Sequence, residues 1–140
     1  MGSEQRNLAT TQAIYEAFGK GDLRTILGHV SDAVRWESWE DNRAQQAGVP
    51  WLVERSGKAG VQAFFEVVGG GFEIHDFQVL GMMAGGNQVA VTVLMDATMR
   101  ATGKHLRDEE LHVWTFDEAG QVIGLRHYID TAKHIEVALS

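Results

Sequence analysis

Apolar positions recur at helical spacing through the first half of the chain and alternate with polar ones through the second, so the pattern predicts helices first and a meander of strands after them. Over 5–18, Ile14, Ala17 and Phe18 share one helical face with Tyr15 at its flank, and Gly19 and Gly21 supply a stop. Asp22 is placed to cap a shorter helix in which Leu23, Ile26, Leu27 and Val30 keep the same spacing. Residues 34–39 alternate as a strand would. The polar stretch from Glu40 to Val49 and the single proline, Pro50, then read as a long mobile loop. Val61, Phe64, Phe65 and Val68 form an apolar stripe on a third helix over 58–68, which Gly69, Gly70 and Gly71 should end. From Glu73 onward four strand-like runs are separated by turn signals at Gly85-Gly86-Asn87, Thr102-Gly103 and Asp117-Glu118-Ala119-Gly120. The last ten residues predict a short tail helix. The order implies an α+β fold in which a strongly curved antiparallel sheet wraps three N-terminal helices.

Composition narrows this picture. A chain of 140 residues, 44% hydrophobic and 22% charged, can bury roughly two-thirds of its unfolded surface around one core, and no internal boundary or repeat divides it. The expectation is a single domain over 1–140. A net charge of -7 with no cluster of Lys or Arg argues against a nucleic-acid partner. With no cysteine there is no disulfide and no thiol chemistry, and no apolar run is long enough to span a membrane. The reading is a soluble cytoplasmic protein without a membrane partner. The glycines at 69–71 precede a strand and no Lys-Ser/Thr follows them, so they are not a phosphate cradle. The six histidines lack metal-ligand spacing, so no metal and no cofactor is expected.

Candidate chemistry concentrates near the end. Strand alternation places His112 on the face of Glu110 and Trp114, and His127 on that of Leu125 and Ile129. Two imidazoles on an apolar face suggest a pocket, although each could equally be a satisfied core histidine. Glu37, between Trp36 and Trp39, would be stripped of hydration and become a proton acceptor. The alternative is a solvated acid paired with Arg35 or Arg55. Glu110 could also simply orient His112 or His127. The apolar lining would be Phe18, Trp39, Phe64, Met95, Ala97, Met99, Trp114, Leu125 and Ile129, with Tyr15 and Glu110 as further ligand-binding candidates, which suits a small apolar ligand carrying one carbonyl or hydroxyl. Arg126, Tyr128 and Asp130 have the opposite parity, as do Thr92 and Asp96, giving a polar outer sheet face fitted to a homodimer.

The run Tyr15-Glu-Ala-Phe-Gly-Lys-Gly-Asp-Leu23, followed by Val30-Ser-Asp-Ala-Val-Arg-Trp-Glu37, resembles the opening of the ketosteroid isomerase and SnoaL-like branch of the nuclear transport factor 2-like superfamily. Gly57-Lys-Ala-Gly-Val-Gln-Ala-Phe-Phe65 resembles its third helix, and the stretch from Phe116 to Asp130 its closing hairpin. The resemblance implies a cone of three helices and a bent sheet around a ligand cavity, dimerised through the outer sheet face. It implies that Glu37 stands at the isomerase general-base position, His112 where an acid donates to the enolate oxygen, and His127 at an acid/base position of cyclases and epoxide hydrolases. The chain departs from these relatives at Ile14, which occupies the place of the oxyanion tyrosine, with Tyr15 one step round the helix. Met95, Ala97 and Met99 offer no match to a hydrolase arginine–aspartate pair.

Two classes of function follow. In the first, a cofactor-independent acid/base enzyme isomerises, cyclises or dehydrates a small apolar carbonyl compound, using Glu37, His112 and His127. In the second, the same pocket holds an apolar metabolite without turnover. A third reading, an assembly domain with a self-filled cavity, predicts no ligand uptake.

Overall fold

A computed structural model describes residues 2–139. Helix α1 (Ser3–Gly19) buries Ile14 and Ala17, and α2 (Leu23–Gly28) starts where the Asp22 carboxylate accepts from the Thr25 N–H at 3.1 Å. Strand β1 (Val30–Trp36) leads into a connection that is not the mobile loop its polarity suggested. It holds the short helix α3 (Arg43–Gln46), capped by Asn42, and a 3₁₀ turn over Pro50–Leu52, with Ala44, Val49, Trp51 and Leu52 buried as anchors. Strand β2 (Arg55–Ser56) precedes α4 (Gly57–Gly71), whose Val61, Phe64 and Val68 enter the core.

The glycines at 69–71 do not stop α4. None of the three adopts a left-handed φ, and the helix continues until Phe72 turns into strand β3 (Phe72–Gly85). Strands β4 (Gln88–Met99), β5 (His105–Phe116) and β6 (Val122–Tyr128) follow, and α5 (Thr131–Ala138) closes the chain behind an Asp130 cap.

The six strands form one mixed sheet in the order β2-β1-β6-β5-β4-β3. β1 runs parallel to β6, and the other neighbours are antiparallel. The sheet is curved and unclosed. Register shifts in β3 beside Asp76 and Gly81 mark the bulges that let a long strand bend. Along β4 and β5 alternate residues are buried, so one face of the sheet turns toward the helices. β3 forms one edge and leaves Leu80 and Met83 more than half exposed.

Candidate functional site

The inner face of β5 carries, at every second position, Leu106, Asp108, Glu110, His112, Trp114 and Phe116, all buried. Register pairs His112 with His127 on β6, and their rings meet edge to face at 4.4 Å between centroids. Glu37 reaches the same place by an irregular route. Trp36 already faces inward, so strand alternation would send Glu37 outward. A left-handed backbone (φ 58) at Glu37 turns its side chain inward as well, and the residue is fully buried. The Glu37 N–H donates to the Leu125 carbonyl at 2.9 Å, and the Gln45 amide donates to the Glu37 carbonyl at 2.9 Å.

Both oxygens of the Glu37 carboxylate are engaged. Oε1 accepts from His127 Nδ1 at 2.5 Å and from the His127 backbone N–H at 2.8 Å, while Oε2 accepts from Trp39 Nε1 at 2.7 Å. This corrects two expectations: Glu37 is not part of the cavity wall, and Trp39 does not line it either. The Trp39 ring lies instead against Tyr128 and under Arg126, 4.6 Å from the guanidinium carbon. The neutral tautomer of His127 that donates from Nδ1 to Glu37 carries its lone pair on Nε2, an atom with no hydrogen-bond partner among the described residues.

His112 is differently placed. Its Nδ1 lies 2.6 Å from the Tyr15 hydroxyl and its Nε2 3.0 Å from Glu110 Oε1. His112 Nε2 donates to the Glu110 carboxylate, so Nδ1 of the neutral ring accepts from the Tyr15 hydroxyl, whose oxygen in turn accepts from Trp114 Nε1 at 3.0 Å. Burial, and then the charge His127 would carry, push the His112 pKa down against the pull of Glu110 and Glu37, which keeps the ring neutral as this chain requires. Burial also raises the Tyr15 pKa far above its usual value. Both ring nitrogens of His112 are therefore spoken for. The expectation that it donates to a ligand's oxygen fails on that geometry.

Glu110 does orient His112, and its second partner is His134 on α5, not His127. Burial disfavours the Glu110 carboxylate, but hydrogen bonds from His112 and His134 outweigh it and hold the group well below the usual range. His134 Nε2 lies 2.8 Å from Asp108 Oδ2 and 3.3 Å from Glu110 Oε2, and Trp51 Nε1 donates to its Nδ1 at 2.9 Å. Burial works against charge on His134, yet the two carboxylates raise its pKa. The ligand-type atoms of Asp108, Glu110 and His134 sit within 4.8 Å of one another. The three groups are joined by hydrogen bonds of their own, with His134 Nε2 set between the two carboxylates.

Within this frame lies an apolar cavity of about 70 Å³. Of the residues expected there, Tyr15, Phe18, Phe64, Met95, Glu110, His112, Trp114, Leu125, His127 and Ile129 line it. Ala97 and Met99 are buried on β4 but do not reach it, because β4 crosses the cavity only near Met95.

Residues 11–124 match the family profile of the SnoaL-like domain, which spans most of the chain. The chain belongs to the SnoaL-like family. The SnoaL-like protein thus sits in the nuclear transport factor 2-like superfamily, and solved structures agree on its fold. A nuclear transport factor 2-like protein from Burkholderia thailandensis superposes with a TM-score of 0.80 at 18% identity, over 96% of this chain and 98% of that one. A protein from Xanthomonas campestris put forward as a polyketide cyclase gives 0.73 at 17% identity, over 98% and 99%. One from Rhodopseudomonas palustris put forward as an isomerase gives 0.70 at 20%, over 99% and 97%. No curated protein matches the sequence.

Sequence reasoning missed Asp108, His134, Trp51 and Trp36 as parts of the site of the SnoaL-like protein. Asp108 was within reach, since it shares the parity of Glu110 and His112. His134 and Trp51 meet 83 positions apart, and no local pattern announces that contact.

Proposed function

We propose that this SnoaL-like protein is a cofactor-independent acid/base enzyme acting on a small apolar carbonyl compound, with His127 as the base and Glu37 as the residue that positions it. The supporting observation is a contact: the fully buried Glu37 carboxylate accepts from His127 Nδ1, and the neutral tautomer that makes this bond carries its lone pair on Nε2 of a cavity-lining imidazole. His127 Nε2 takes a proton from the carbon beside the carbonyl, and the electron pair moves onto the carbonyl oxygen as an enolate. The imidazolium is held by Glu37 and returns the proton to the same or another carbon, so no outside reagent is consumed. Neutral His112 and charged Glu110 form a rigid wall beside the base. The aromatic lining excludes water from the enolate.

The test is deuterium uptake by cyclohex-3-enone and a set of related cyclic ketones in heavy water, followed by proton NMR. Wild type should accelerate exchange, His127→Gln should lose about 10²- to 10⁴-fold, and Glu37→Gln should retain part of the rate. Equal rates in wild type and His127→Gln would sink the assignment. Binding without exchange would favour the carrier reading.

A further inference from the structure

The chain has four tryptophans, and three of their indole N–H groups are committed: Trp39 to Glu37 at 2.7 Å, Trp51 to His134 at 2.9 Å and Trp114 to Tyr15 at 3.0 Å. Trp36 is the exception. Its side chain is fully buried, its Nε1–H has no partner among the described residues, and the residue lines the apolar cavity. An unserved donor in the interior is penalised, so folded proteins carry few of them, and each calls for a reason. The other buried side-chain atoms in that position belong to Arg6, Asn7 and Arg55, none of which lines the cavity.

The polar groups of the wall sort themselves by what they have left to give. Tyr15, Glu110, His112 and His134 satisfy one another. What remains is one acceptor, His127 Nε2, and one donor, Trp36 Nε1–H. Phe64 lies against both rings, with centroids 5.3 Å from Trp36 and 5.4 Å from His127, so the two groups border one apolar space.

We infer that Trp36 Nε1–H is the anchoring donor for the ligand's oxygen, a role that rests on the reading of His127 as the base. The pair defines a substrate class: a small molecule, apolar over most of its surface, with a single acceptor oxygen and an acidic C–H near it. Carboxylates, phosphates and polyols are excluded, because one neutral N–H cannot replace the hydration of several polar groups. As charge builds on the oxygen during proton removal, the same N–H bond strengthens, so the donor serves both binding and the enolate.

The experiment uses protein carrying nitrogen-15 in its indole and imidazole rings, titrated with cyclohex-2-enone and, as a matched hydrocarbon, cyclohexene. The enone should move the Trp36 Nε1–H signal downfield more than those of Trp39, Trp51 and Trp114, and cyclohexene should not. Trp36→Phe, which keeps an aromatic ring but removes the donor, should weaken enone binding relative to cyclohexene binding about three- to tenfold. If the enone shifts the His127 signals while Trp36 stays still, the anchor is overturned and the cavity reading survives. Equal binding of both probes to wild type also overturns it, since the N–H is then served by water. If neither probe moves Trp36 or His127, the anchor and the proposed function fall together.

Discussion

Glu37 depends on a backbone that its residue type disfavours. A left-handed φ of 58 at a non-glycine position is strained by about 1–3 kcal/mol, and the surroundings must hold it there. Gln45 is the principal restraint, since its side-chain amide donates both to the Glu37 carbonyl and to the Leu52 carbonyl at 2.9 Å. Gln45→Ala removes both bonds and should lower stability by about 1–3 kcal/mol in urea unfolding, while broadening the His127 imidazole signals as the carboxylate loosens. An unchanged midpoint would show that the strain is supported elsewhere. The same geometry explains what the sequence could and could not reveal at this scale. Strand parity puts Glu37 outside, opposite to Trp36; the flanking tryptophans and the resemblance pointed inward, and neither could say that Glu37 would face the back of His127 and not the cavity.

At the scale of elements, the turn signals at Gly85-Gly86-Asn87, Thr102-Gly103 and Asp117–Gly120 did mark where β3, β4, β5 and β6 begin and end, because a left-handed residue sits in each: Gly86, Gly103 and Gly120. Short elements escaped. α3 and the 3₁₀ turn span too few residues to display a period, and their formation depends on buried Ala44, Trp51 and Leu52 and on the Asn42 cap. Glycine misled at α4, where three in a row read as a stop but adopt helical geometry. Gly69 and Gly70 are exposed, and a methyl group added to either meets nothing within 4 Å. Gly69→Ala and Gly70→Ala should therefore each stabilise the fold by about 0.5–1 kcal/mol, read as a raised melting temperature. A loss would mean that the end of α4 needs glycine for a reason other than space.

Over the whole molecule, stability should follow the buried histidines as pH changes. His112 has its pKa lowered in the fold, so between its ordinary value of about 6.5 and its folded value the unfolded chain binds the extra proton, and stability falls as pH falls. His134 has the opposite sign. Its raised pKa contributes stability that is fully present below about 6.5 and is lost as pH rises through the folded value. The window from about pH 6.5 to 5 therefore isolates His112, above the range in which carboxylates take up protons. Thermal unfolding of wild type should show a declining midpoint across that window, and His112→Gln, which keeps an amide donor toward Glu110, should flatten it. A wild-type midpoint that holds steady from pH 6.5 to 5 would contradict the neutral, Tyr15-bonded state of His112.

The parallel pairing of β1 with β6 also bears on how the chain acquires its shape in time. Glu37 meets His127 across 90 positions, and β1 finds its neighbour only after the meander from β3 to β5 has been synthesised and β6 has docked. Contacts that distant are slow to form, since the loop between them must be closed before anything is gained. Until then the acid at 37 has no imidazole to meet, and its left-handed turn has no Leu125 carbonyl to pin it. The Glu37–His127 contact should accordingly form in the slowest refolding phase, well after the helices and the β3–β4 hairpin have formed.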